Sequence, residues 1–224
     1  MAKDTGTIIE RESKTDIAYR LMSKKKKDVL LNIDHLNIEH GMCTGFVGRN
    51  GSGKSMLFKA ICGFVKYSGS IRVNGKWIGR DCDFIQDAGV IIEQPNFIGY
   101  LTPFENLQVL AEINKKITHE QICKTMTMVG LDPKCKKKTS KLSLGMKQRL
   151  RIAQALMEEP SILILDEPFN GLDESGVSEI RDVILNIRRD KTILLTSHMK
   201  EDIDMLCDIV YYMENGKIIK KVAM

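Results

Sequence analysis

Gly48-Arg49-Asn50-Gly51-Ser52-Gly53-Lys54-Ser55 match the pattern G-x-x-x-x-G-K-[ST]. Each residue type answers a requirement of polyphosphate binding. Glycines let backbone N–H groups approach phosphate oxygens without a Cβ in the way. A helix opening at the end of the loop adds positive potential. Lys54 would neutralise the β- and γ-phosphates, and the Ser55 hydroxyl would ligate Mg²⁺. A second group lies further on, where an apolar run, residues 161–165, ends in Asp166-Glu167. Such a run delivers acids to the carboxyl end of a sheet, where open α/β folds bind ligands. Asp166 would hold the Mg²⁺, and Glu167 would polarise an attacking water as general base.

These groups need strands and helices to carry them. Residues 44–47 read as a strand before the glycine loop, and 55–62 as a helix stopped by Gly63. Ile33, Leu36 and Ile38 sit in a strand with one irregularity in its alternation, as at a bulge. Asn74-Gly75 and Asn215-Gly216 each mark a hairpin, over 70–78 and 209–220. Residues 89–93 form another apolar strand.

Thr102-Pro103-Phe104-Glu105 and Thr118-His119-Glu120-Gln121 are capping boxes, and Ser143 caps a third helix. The last third alternates strand and helix: 161–165, 174–189, 192–196 and 199–207. Buried strands alternating with helices predict a mostly parallel sheet covered on both faces. A helical insert over about 97–158 divides it.

The whole chain, 224 residues, 43% hydrophobic and 28% charged, can bury a core, which excludes global disorder. A net charge of +5 is too mild to mark a nucleic-acid binder, and none is expected as a partner. No apolar run approaches the ~18 residues of a membrane span, and residues 1–10 lack the apolar core of a secretory signal. The expectation is a cytoplasmic chain that meets a membrane only through a partner. The six cysteines show no metal-ligand spacing and read as free thiols. The lysine runs at 24–27 and 134–138 read as solvated loops.

Loop and acids alone leave a kinase, a G protein or a helicase open. Leu142-Ser143-Leu144-Gly145-Met146-Lys147-Gln148-Arg149-Leu150 resembles the signature of the ATP-binding cassette (ABC) ATPases, about twenty residues before the acidic strand. Gln94 at a strand end, Asn170-Gly171-Leu172-Asp173 after the acids, and Thr196-Ser197-His198 after the next strand are similar to that family's Q-loop, D-loop and switch histidine. The likeness runs from about residue 28 to 220.

It implies an α/β P-loop NTPase (RecA-like) core with an N-terminal antiparallel β-subdomain and an inserted helical subdomain, all one domain over 1–224. It implies ATP and Mg²⁺ as cofactors. Gln94 would reach the Mg²⁺ and the attacking water, and His198 would bond the γ-phosphate. Ser143 and Gly145, with Asp173 nearby, would meet ATP held by a second cassette, identical or different.

Leu144 and Met146 depart from the commonest signature, Leu-Ser-Gly-Gly-Gln, in the way of drug, antibiotic-peptide and bacteriocin exporters. The stacking aromatic that the family places before the phosphate loop has only Tyr19 as a candidate. The resemblance therefore implies the ATPase subunit of an exporter, on the inner face of the membrane, with a separate transmembrane permease subunit. The absence of an extra domain after the last hairpin points the same way. The alternative it leaves is a soluble, non-transport ABC ATPase such as an iron–sulfur assembly partner.

Overall fold

The computed structural model describes residues 14–22, 29–93 and 97–224, with side chains from residue 31 onward. Tyr19 is thus described in its backbone only, and Lys24–Lys27 lie outside the described residues.

The chain opens with β1 (Lys14–Met22), β2 (Val29–Glu39) and β3 (Cys43–Val47), then α1 (Lys54–Ile61). A hairpin follows, β4 (Ser68–Val73) and β5 (Lys76–Trp77), and then β6 (Ala88–Ile91). Three helices come next: α2 (Pro103–Asn114), α3 (His119–Met128) and α4 (Leu144–Leu156). The remainder runs β7 (Ile162–Asp166), α5 (Glu174–Ile187), β8 (Thr192–Thr196), α6 (Lys200–Leu206), β9 (Ile209–Glu214) and β10 (Lys217–Ala223).

The strands form two sheets. One is antiparallel, in the order β2-β1-β4-β5. The other has the order β10-β9-β3-β8-β7-β6 and is parallel throughout except for β10 at its edge. The irregularity read in β2 is real. Ile17 pairs with Leu36 but Tyr19 with Ile33, so Asp34 and His35 together face one residue of β1. Both Asn-Gly turns have positive φ at each central residue, as a two-residue hairpin needs.

The apolar strands of the larger sheet face two separate cores. In β7, Ile162 and Ile164 join Leu31, Phe46, Leu57 and Ile71, on the side of α1 and the antiparallel sheet. Leu163 and Leu165 join Leu107, Met126, Leu150 and Ile180, on the side of the helices. In β8, Leu194 belongs to the first core, and Ile193 and Leu195 to the second. Alternation with both faces covered is the reason β7 is apolar up to Asp166 and β8 is apolar between Thr192 and Thr196. Asp166 continues the parity of Ile164, so its place in the strand is on the side of α1.

Thr102 and Thr118 make the expected capping boxes, and Ser143 accepts from the Met146 N–H at 3.2 Å. The helix after β7 ends at Ile187 in a short 3₁₀ turn, two residues earlier than expected. No helix among the described residues is long and apolar enough to cross a membrane. The six cysteines are free, and burial pushes the Cys62 thiol up to about 12.

Gly89 in β6 lies directly under α4. A Cβ there would stand 1.9 Å from the Ala155 carbonyl oxygen. Gly89→Ala should therefore push α4 off the sheet and cost about 1–3 kcal/mol. A urea-unfolding midpoint within error of the parent's would refute that close packing.

Candidate functional site

The site begins where β3 hands over to α1. Gly51 and Gly53 have φ of 80° and 106°, which ordinary side chains rarely adopt. Gly53 is the N-cap of α1 and has no side chain to satisfy the first helical N–H groups, so these remain available to an anion. The loop is braced from behind by the β9–β10 turn. The Gly216 N–H donates to the Ser52 carbonyl (2.9 Å), and the Asn32 N–H to that of Gly216 (2.8 Å). A Cβ on Gly48 would meet the Met213 carbonyl oxygen at 2.3 Å. The Lys54 ammonium is largely buried and donates to the carbonyls of Gly48 (2.7 Å) and Arg49 (3.3 Å).

The acids stand across from this loop. Thr196 ends β8 in register with Asp166. Its hydroxyl donates to Asp166 Oδ1 (2.7 Å) and accepts from the Glu167 N–H (2.9 Å). Glu167 itself has φ of 51°, a left-handed conformation unusual for a residue with a side chain. That backbone carries Glu167 out of the alternation of β7. Its Oε1 is buried, 3.2 Å from His198 Nε2, and accepts no in-line hydrogen bond. Burial lifts the Glu167 carboxyl above its ordinary value, against the pull of His198. Asp166 adds to the lift and Lys54 opposes it.

One cleft of about 480 Å³ collects these groups, lined by Asn50, Gly51, Gly53, Lys54 and Ser55 on one side and Asp166, Glu167 and His198 on the other. Gly48, Arg49 and Ser52 belong to the same loop but are not among the residues lining the cleft. Gln94 lies outside the described residues. Ser143, Gly145 and Asp173 are not brought into the cleft: Ser143 caps α4, and Asp173 caps α5 through the Gly176 N–H (2.9 Å).

The cleft also holds residues to which the sequence reading gave no individual role. Gln148 and Arg151 of α4 and Asn170 line it. Gln148 Nε2 donates to the Pro168 carbonyl (2.7 Å), and Arg151 Nη1 to Gln148 Oε1 (2.8 Å). They brace the turn just after Glu167. The signal was present in the sequence, since both are polar positions, three apart, on a helix otherwise read by its apolar stripe.

Comparison with known proteins agrees with this geometry. The family model for the ABC transporter matches residues 31–170. The chain is 44% identical over 196 residues to the uncharacterized ABC transporter ATP-binding protein YybJ of Bacillus subtilis (strain 168). That match covers 87% of this chain and 89% of the relative. It is 39% identical over 223 residues to the bacitracin transport ATP-binding protein BcrA of Bacillus licheniformis, covering 97% of this chain and 70% of that one. The solved structure of MJ0796, a dimeric bacterial ABC transporter cassette, superposes with a TM-score of 0.83 at 21% identity, over 94% of this chain and 98% of that one.

The raised Glu167 carboxyl has a consequence for stability. The native fold holds this proton more tightly than the unfolded chain does. Stability therefore falls as pH rises from the ordinary value of 4.5 through the raised one, and stays lower above it. Each tenfold preference for the proton is worth about 1.4 kcal/mol. Glu167→Gln should remove that loss, gaining on the parent at pH 7.5 but not at pH 4. Urea unfolding at the two pH values checks this, and an equal gap at both would refute it.

Proposed function

The chain belongs to the ABC transporter family, as an ATP-binding subunit that hydrolyses ATP, and from that premise we propose how its residues work. The observation that carries the reading is the meeting of the phosphate loop, Asp166, Glu167 and His198 in one cleft. Residues 48–55 cradle the triphosphate with backbone N–H groups, and Lys54 sits at the β- and γ-phosphates. Ser55 and Asp166, with Gln94 from outside the described residues, would supply oxygen donors of the kind Mg²⁺ takes beside phosphates. A Mg²⁺ ion held by these residues would neutralise charge on the phosphate oxygens.

Glu167 is the general base that takes a proton from the attacking water. Its raised carboxyl brings it nearer the working pH, which favours that role. The imidazole of His198, 3.2 Å from Glu167, holds the base and meets the γ-phosphate.

Ser143 and Gly145 stand at the N-terminus of α4, away from the cleft of their own chain. We assign them to ATP held by a second cassette, identical or different, so that two chains enclose two nucleotides with Asp173 at the joint. The whole chain, 1–224, acts as one ATPase domain in which Gln94 reports the nucleotide state to the helical part, about 97–158, and the surface at 97–106 passes it on. A separate transmembrane permease subunit receives that motion, which places this chain at the inner face of a membrane. The relative BcrA is named for bacitracin transport, and on that likeness the direction proposed is export. Similarity to transport proteins disfavours the non-transport alternative, and no nucleic acid enters the scheme.

Glu167→Gln should lower turnover by at least the ~10²–10⁴-fold of a lost general base while leaving ATP-stabilised dimers visible by size exclusion. Lys54→Ala should lose the ATP-dependent dimer as well. Hydrolysis at the parent rate in Glu167→Gln would sink the assignment of the base.

A further inference from the structure

His198 sits on a short loop between β8 and α6, and the hydrogen bonds that hold this loop run beyond its own motif. The residue that caps α6 is Met199, whose side chain makes no cap hydrogen bond. Ser197 fixes the Met199 backbone instead, its hydroxyl oxygen accepting the Met199 N–H at 3.1 Å. That hydroxyl in turn donates to Asp202 Oδ2. Asp202 is fully buried, and its other oxygen, Oδ1, accepts from Arg181 Nε at 2.7 Å and from Arg181 Nη2. Arg181 belongs to another helix, α5, whose N-cap is Asp173.

A buried carboxylate is retained only where charge and hydrogen bonds compensate it. Here every compensating bond leads either to the His198 loop or to α5. We infer that Asp202 is a positioning residue for hydrolysis: with Ser197 and Arg181 it clamps the His198 loop onto α5. The clamp makes the placement of His198 depend on the helix that begins at Asp173. A displacement of α5, as on arrival of a second cassette at Asp173, would then move the imidazole relative to Glu167. None of the clamp's hydrogen bonds reaches the loop at 48–55. It acts through His198, and so rests on the reading of His198 given above.

The test is steady-state ATP hydrolysis by Ser197→Ala and Asp202→Asn, each alone and combined with His198→Ala. An ångström of misplacement costs about 10²-fold in rate. The expected result is kcat lower by about 10- to 100-fold with KM for ATP within about threefold of the parent's. In the His198→Ala background neither change should lower kcat further, because the group they position is gone. A purely structural role would instead multiply the losses.

A second readout does not need turnover. Of the four histidine ring resonances, the one lost in His198→Ala should move in Arg181→Gln, although Arg181 lies on another helix. Unchanged kcat in Ser197→Ala, multiplied losses, or an unmoved His198 resonance in a folded Arg181→Gln would overturn the clamp. A parent protein that hydrolyses no ATP, with the resonance still moving, would overturn the proposed function and leave the clamp standing.

Discussion

Two carboxylates stand next to each other at the end of a strand that is buried on both faces. Like charges in such surroundings repel, and burial disfavours the charge of Glu167. The cleft is arranged around that conflict. The Thr196 hydroxyl donates to Asp166 and accepts the Glu167 N–H, so one side chain serves both residues. The left-handed backbone at Glu167 breaks the strand at the place where parity would otherwise continue. Lys54 lines the opposite side as the compensating charge. What remains uncompensated appears as the raised carboxyl of Glu167, which is the property a base for a water molecule needs.

The scaffold's task is to hold two loops against each other at fixed distance. The phosphate loop is anchored by the β9–β10 turn, which bonds Ser52 and Asn32 from one residue, Gly216. The acids are anchored by register, because Thr196 can bridge Asp166 and Glu167 only if β7 and β8 pair as they do. The two strand ends come together because β3 lies beside β8, which lies beside β7.

Helix α4 serves both halves of the proposed machine. Its first turn carries Ser143 and Gly145, away from the cleft, while Gln148 and Arg151 reach beneath the turn after Glu167. Gly89 keeps the same helix close on the sheet. A contact made at the N-terminus of α4 therefore stands on one rigid element with the groups that brace the turn after Glu167.

Much of the scaffold, and the groups that meet in the cleft, were legible in the sequence because their patterns are local. The spacing of Gly48 to Ser55, the apolar run ending in Asp166-Glu167, the capping boxes at Thr102 and Thr118, and the Asn-Gly turns each depend on neighbours a few residues away. The two-faced burial of β7 followed from its unbroken apolar run. Other features involve residues far apart in the chain, and no local pattern records them. The strand β1 has weak alternation of its own and is placed by pairing with β2 and β4. The bridge from Thr196 to the acids, the brace of Gln148 on Pro168, and the bonds from Asp202 to Arg181 and Ser197 join residues that only the packed sheet and helices bring together. Sequence set which groups were present and the elements that carry them. Tertiary structure decided which groups touch, because hydrogen bonds between distant segments depend on the pairing of β3, β8 and β7 side by side and on how the helices pack over them.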